Sequence, residues 1–97
     1  MTTLAGKRIV ITGSSRGLGR GFAVEMARAG ARLVINGTNA EALAETERQV
    51  RAVGGEAVVV RGSVAESETC SGLVAACVEA YGGIDVLINN AGQVRDR

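Results

Sequence analysis

The sequence contains no proline, no tryptophan and no histidine, and Phe22 and Tyr81 are its only aromatic residues. Without histidine, and with Cys70 and Cys77 too far apart for a C-x-x-C pair, a zinc site lacks its usual ligands, so no dedicated metal site is expected. Seven residues of helix rise about 10 Å, which is beyond disulfide reach. Both cysteines are therefore expected as buried free thiols. A dominant charge is lacking too: eleven Lys and Arg stand against ten Asp and Glu, for a net charge of +1, and the basic residues are scattered from Lys7 to Arg97. That balance favours neither nucleic acid nor an anionic membrane as a partner. No apolar run is long. Ile9-Val10-Ile11 follows two charges and is far too short for a signal peptide or a membrane span, which points to the cytoplasm.

What is present is ordinary for one small globular domain: 97 residues, 46% of them apolar. A chain of this length buries only about two-thirds of the surface its unfolded form exposes, so its core is thin. Short apolar runs alternate with helix-period segments and predict strands over 7–12, 32–36, 56–61 and 84–89, and helices over 17–29, 40–53 and 66–81. The runs Ile9-Val10-Ile11, Leu33-Val34-Ile35, Val58-Val59-Val60 and Val86-Leu87-Ile88 are continuously apolar, as in a parallel sheet covered on both faces. A βαβαβαβ chain of this kind is a doubly wound α/β sheet. Crossover handedness then puts the first two helices on one face and the third on the other.

The helices carry stripes. Leu18, Phe22, Ala23, Met26 and Ala27 share one face of the first, with Arg20, Glu25 and Arg28 facing away. Leu43, Thr46, Val50 and Val53 line the second, which Thr38 and Glu41 could open as a capping box and Gly54-Gly55 closes. Cys70, Leu73, Val74, Cys77, Val78 and Tyr81 give the third a broad apolar face.

The informative stretch is Thr12-Gly13-Ser14-Ser15-Arg16-Gly17-Leu18-Gly19, where the first strand turns into the first helix. There the helix N-terminus offers unpaired N–H groups and a positive dipole end, for which phosphate is the natural guest. Gly13 suits the tight turn, Gly17 the approach of backbone to a pyrophosphate, and Gly19 close packing of the helix on the sheet. The spacing is G-x-x-x-G-x-G rather than G-x-G-x-x-G, and Gly19-Arg20-Gly21 does not supply the Gly-Lys-Ser/Thr of a nucleotide triphosphate loop. Alone, such a turn is a weak signal, and a purely structural turn stays open as the alternative.

At the end of the second strand, where an NAD site usually holds an acid for the ribose 2′-hydroxyl, stands Asn36-Gly37-Thr38-Asn39. No carboxylate is there to repel a 2′-phosphate, and Arg16 could pair with one, so NADP(H) is favoured over NAD(H) unless Arg16 is only a solvated charge. Asn36, Thr38 and Asn39 could donate to a ligand, although Thr38 and Asn39 could equally cap the helix. The fourth strand ends in Asn89-Asn90-Ala91-Gly92, an ordinary turn sequence that also lies at the sheet edge where ligands collect.

Taken together, Leu4-x-Gly6-Lys7, Thr12-Gly13-x-x-x-Gly17-x-Gly19 and Asn89-Asn90-Ala91-Gly92 after Ile84-Asp85-Val86-Leu87-Ile88 strongly resemble the short-chain dehydrogenase/reductase family. Ser14-Ser15-Arg16 is similar to its NADP-preferring members, such as ketoacyl carrier-protein reductases. The resemblance runs from Leu4 to about Arg97 and implies that residues 1–97 are the N-terminal part of a Rossmann dinucleotide-binding domain, with strand order 3-2-1-4. It implies cofactor contacts by Gly13, Ser15, Arg16, Gly17, Leu18 and Gly19, with Asn89, Ala91 and Gly92 near the riboses. The family usually has Asp-Val after the third strand, the Asp on the adenine; here Ser63-Val64 replaces it, and Ser63 either contacts cofactor or caps the next helix.

The family's catalytic Ser and Tyr-x-x-x-Lys have no counterpart in this sequence. Tyr81 is followed four residues on by Asp85, which makes it a worse acid, and it is expected as a helix-end core residue. No catalytic residue is therefore assigned. The resemblance implies part of an oxidoreductase acting on an alcohol/carbonyl pair, homo-oligomeric in its full-length form. A bare fourth-strand edge would leave the 97 residues dependent on a continuation or self-associating. Two rivals are a short non-catalytic nucleotide-binding or self-associating module, and a methyltransferase, which would want an acid where Asn36-Gly37-Thr38 stands.

Overall fold

A computed structural model describes residues 3–90. The elements run β1 (Arg8–Thr12), α1 (Gly17–Arg28), β2 (Arg32–Gly37), α2 (Ala40–Ala52), β3 (Glu56–Arg61), α3 (Ser67–Tyr81) and β4 (Val86–Asn89). The four strands form one parallel sheet in the order β3-β2-β1-β4, with Ile9 beside both Leu33 and Val86. This is the Rossmann-like, doubly wound α/β arrangement expected from the alternation.

Successive residues of a strand point to opposite faces, so each apolar run feeds two cores. Ile9, Ile11, Leu33 and Ile35 pack with Ala23 and Ala27 of α1 and Leu43 and Val50 of α2. Val10 and Val34, one residue out of phase, pack with Leu73 and Cys77 of α3. The helices thus divide two and one between the faces, as right-handed crossovers require.

Four expectations about the helices need correction. The buried stripe of α1 is Gly19, Ala23 and Ala27, of which the two alanines seat it close to the sheet, while Leu18 is 62% and Phe22 37% exposed. On α3 only Thr69, Leu73 and Cys77 are buried; Val74 and Val78 lie outside, and Cys70 is an exposed thiol where a buried one was expected. The reason is common to both helices: a stripe is buried only as far as neighbouring elements reach over it. Finally, α2 is capped by Asn39, whose side chain accepts from Ala42 N–H at 2.8 Å, and not by Thr38. Likewise α3 starts at Ser67, so Ser63 and Glu66 form no capping box; Ser63 Oγ instead accepts from Ala65 N–H at 3.1 Å.

β4 begins two residues later than predicted because Asp85 is taken up by Arg8. The carboxylate accepts from Arg8 N–H, Nε and Nη2 at 2.8, 2.9 and 3.0 Å, and Asp85 N–H donates to the Arg8 carbonyl. The pairing holds the Asp85 carboxyl well below the usual carboxylate range.

Candidate functional site

The loop between β1 and α1 lies at the carboxyl edge of the sheet, where the ends of β1, β2 and β3 enclose a cleft of about 300 Å³ with mixed polar and apolar walls. Gly13, Ser15, Asn36, Gly37, Thr38, Gly62, Ser63 and Val64 line it. Five of the predicted site residues, Gly13, Ser15, Asn36, Thr38 and Ser63, are therefore brought together. Among the described residues no carboxylate lines this cleft.

The loop is held open by glycines and tied by polar side chains. Gly13 and Gly17 have φ near +60°, and a side chain at Gly19 would run into the Gly13 carbonyl and lie 2.8 Å from Asn90 Nδ2. The expectation that Gly19 serves close packing holds, but the surface it packs on is the loop itself. Gly37 likewise leaves room for Ser15, whose Cβ would lie 2.7 Å from a methyl there. Ser14, wholly buried, accepts from Asn36 N–H at 2.8 Å and donates to the Ile11 carbonyl at 3.0 Å, knitting the loop to β2.

Asn36 is 1% exposed, and its amide is already engaged. Its Nδ2 donates to the carbonyls of Val60 and Gly62 at 3.1 and 3.0 Å, and its Oδ1 accepts from Gly13 N–H at 3.3 Å. The side chain braces β3 against the loop, where a donor to ligand was expected. Thr38 is exposed at the cleft's edge, its carbonyl accepting from Arg61 Nε at 3.0 Å.

Arg16, Gly17 and Leu18 are exposed at the start of α1. Arg16 occupies the N-cap position with no side-chain cap bond, and the first N–H groups of any helix lack intrahelical partners. Asn89 falls on the other side of β1: its Oδ1 accepts from Thr12 Oγ1 at 3.0 Å, and it lines a separate, mainly apolar cleft of about 260 Å³ with Cys70, Val74 and Leu87. Val64 lines both clefts. Ala91 and Gly92 lie outside the described residues.

Sequence reasoning missed Arg20, Thr46 and Asn90. Arg20 was expected to face solvent, yet it reaches across to α2 and back to the loop, bonding Thr46 Oγ1, the Ser15 carbonyl and the Ala42 carbonyl. The available signal was Thr46 itself, a hydroxyl in the apolar stripe of α2 that must find a partner when buried. Asn90 Nδ2 donates to the Gly13 carbonyl at 3.0 Å, while its buried Oδ1 has no partner among the described residues. Tyr81 sits at the far end of α3; its hydroxyl donates to the Leu33 carbonyl at 2.9 Å, and burial pushes its pKa up. It is the structural residue expected.

Known proteins share this arrangement. A Caenorhabditis elegans glucose dehydrogenase matches with a TM-score of 0.90 at 38% identity, covering 96% of this chain and 40% of that one. An Escherichia coli hydroxysteroid dehydrogenase matches with a TM-score of 0.85 at 31% identity, covering 89% of this chain and 37% of that one. In sequence, an L-rhamnose 1-dehydrogenase (NAD(P)(+)) of Azotobacter vinelandii is 45% identical over 94 residues, which are 92% of this chain and 36% of that protein. One of the same name from a Sphingomonas species is 38% identical over 93 residues, 95% of this chain and 37% of that protein. The likeness of Ser14-Ser15-Arg16 to ketoacyl carrier-protein reductases does not reappear in these names. The chain spans little more than a third of the curated relatives it matches. The short chain dehydrogenase family profile matches residues 7–97, and the chain belongs to that family.

Proposed function

We propose that this chain is the NADP(H)-binding portion of a short-chain oxidoreductase acting on an alcohol/carbonyl pair, and that it supplies no catalytic group itself. The nicotinamide carries the hydride when bound; these residues hold and orient the dinucleotide. The observation that carries the reading is the cleft at the sheet edge, lined by Ser15, Asn36, Thr38 and Ser63, free of carboxylates among the described residues and flanked by the uncapped start of α1. Beside it, the N–H groups of Gly17, Leu18 and Gly19 at the start of α1 would hold the pyrophosphate. Ser15, Thr38 and Ser63 serve the adenosine end, with Gly13 and Asn36 shaping the floor, and Asn89, Ala91 and Gly92 serve the riboses. Arg16, exposed and without a side-chain bond among the described residues, takes the 2′-phosphate.

The relatives named for L-rhamnose oxidation support a sugar hydroxyl as the substrate class, and their NAD(P)(+) names leave room for both cofactors. We place the protein in the cytoplasm, with a homo-oligomeric full-length form. A second reading, a self-associating module without catalysis, draws on one observation, the exposed Val86 and Leu87 of β4.

Titration of the full chain with NADPH and NADH tests both. Wild type should bind NADPH more tightly, and Arg16→Ala should weaken NADPH about tenfold with NADH changed less than about twofold. Equal loss of the two would remove the 2′-phosphate role; binding of neither would leave the second reading.

A further inference from the structure

Three consecutive carbonyls of the glycine loop are each held by a side-chain donor from a different part of the fold. Asn90 Nδ2, after β4, donates to Gly13 at 3.0 Å; Thr46 Oγ1, from α2, donates to Ser14 at 2.7 Å; Arg20 Nη2, from α1, donates to Ser15 at 2.6 Å. A loop that is to receive an anion must present its N–H groups and keep its carbonyl oxygens turned away, since an oxygen facing a phosphate repels it. Two of these three ties form one network. Arg20 Nε donates to the Thr46 hydroxyl at 2.9 Å, leaving that hydroxyl's own hydrogen for Ser14, and Arg20 Nη2 also reaches the Ala42 carbonyl at 2.9 Å.

The placement is costly unless it serves the loop. Thr46 is wholly buried between Leu43 and Val50 in the stripe of α2, where an apolar residue would pack without needing a partner. Arg20, one turn from the exposed start of α1, is committed to α2 and to Ser15 rather than left to meet an anion. We infer that Arg20 and Thr46 form a latch that fixes the loop with its carbonyls withdrawn, so that a pyrophosphate meets only N–H groups. They are positioning residues, acting through Ser14 and Ser15. This inference rests on the dinucleotide-binding reading above.

The test compares ADP, which carries the pyrophosphate, with adenosine, which does not. In the full chain, Thr46→Val keeps the shape and removes the hydroxyl's bonds to Arg20, Ser14 and Ala42, Thr46→Ser keeps the hydroxyl, and Arg20→Met removes the guanidinium from a partly exposed site. Calorimetric titrations should show ADP affinity about tenfold weaker in Thr46→Val and in Arg20→Met, with adenosine changed less than about twofold and Thr46→Ser within about twofold of wild type for both ligands. Thermal melts of each variant identify any that is unfolded, and Arg20→Met carries the test if Thr46→Val is. Unchanged ADP affinity, or equal loss for ADP and adenosine, would overturn the latch while leaving the dinucleotide reading intact. Failure of wild type to bind ADP would overturn that reading and the latch with it.

Discussion

β2 and β4 are both parallel neighbours of β1, and their central residues are equally apolar, yet they meet different surroundings. Leu33, Val34 and Ile35 of β2 are wholly buried, whereas Val86 and Leu87 of β4 are 40% and 59% exposed. Beyond β2 lies β3, with α1 and α2 over one face and α3 over the other. Beyond β4 the described residues place nothing, and the flank of α3 carrying Cys70 and Val74 faces an open apolar cleft with Leu87. Hydropathy alone therefore does not decide burial; cover does. The glycine loop stands on the boundary, one wall built by β2, β3 and α2, the other reached through Asn90.

The largest consequence concerns stability. Leu33→Ala should cost about 3 kcal/mol, the usual scale for emptying a filled core position. Leu87→Ala, on the same sheet, should cost no more than about 0.5 kcal/mol. Urea denaturation of the two variants measures the contrast. A comparable loss at both positions would mean that the β4 face is covered in solution, by a second copy or by further chain, and the comparison between the two sides would fail.

The same boundary separates what was legible in the sequence from what was not. Four apolar runs and the helix-period segments between them were enough for the element order, because periodicity is a local rule, whereas the strand order followed from the family resemblance. The exposure of Leu18, Phe22 and Cys70 was not legible: a stripe reports which face is apolar and is silent on how far neighbours extend over it. At the site, the loop and the end of β2 were found from spacing, and the end of β3, at Ser63, from the family resemblance. The engagement of Asn36 was not, since it depends on where β3 places the carbonyls of Val60 and Gly62. The partnership of Arg20 with Thr46 joins two helices and 26 residues of sequence, beyond any local pattern.

Next in size is a pair of glycines on α1. At Gly19 a methyl would overlap the Gly13 carbonyl, so Gly19→Ala must push the loop off α1, at a cost of about 1–3 kcal/mol and with loss of ADP binding. At Gly21, two residues on, nothing lies within 4 Å, and Gly21→Ala should stabilise by about 0.5–1 kcal/mol through helix propensity. Thermal melts should move in opposite directions for the two variants. Movement in the same direction would remove the tight approach of loop to helix from which the site is built.

The smallest effect is one of pH, and it belongs to the bare side. β4 is preceded by Asp85, fixed on Arg8, whereas Glu45 of α2 is bonded within its own helix to Arg48 and Gln49, which hold its carboxyl at about 2. Both pKa values lie below their ordinary values of 3.8 and 4.5, so each carboxylate contributes stability that is present above that ordinary value and lost as pH falls toward the folded one. The melting temperature should therefore be flat from about pH 7 to 5 as far as these groups decide it, and fall below about 4.5. Asp85→Asn should melt lower than wild type at pH 7, and the gap should narrow as the pH drops from about 4 toward 2, because acid removes from wild type the same charge that the substitution removes. A gap of constant size across that range would show that Asp85 holds β4 by its hydrogen-bond geometry alone, and that ionisation contributes nothing to keeping the open edge in register with β1.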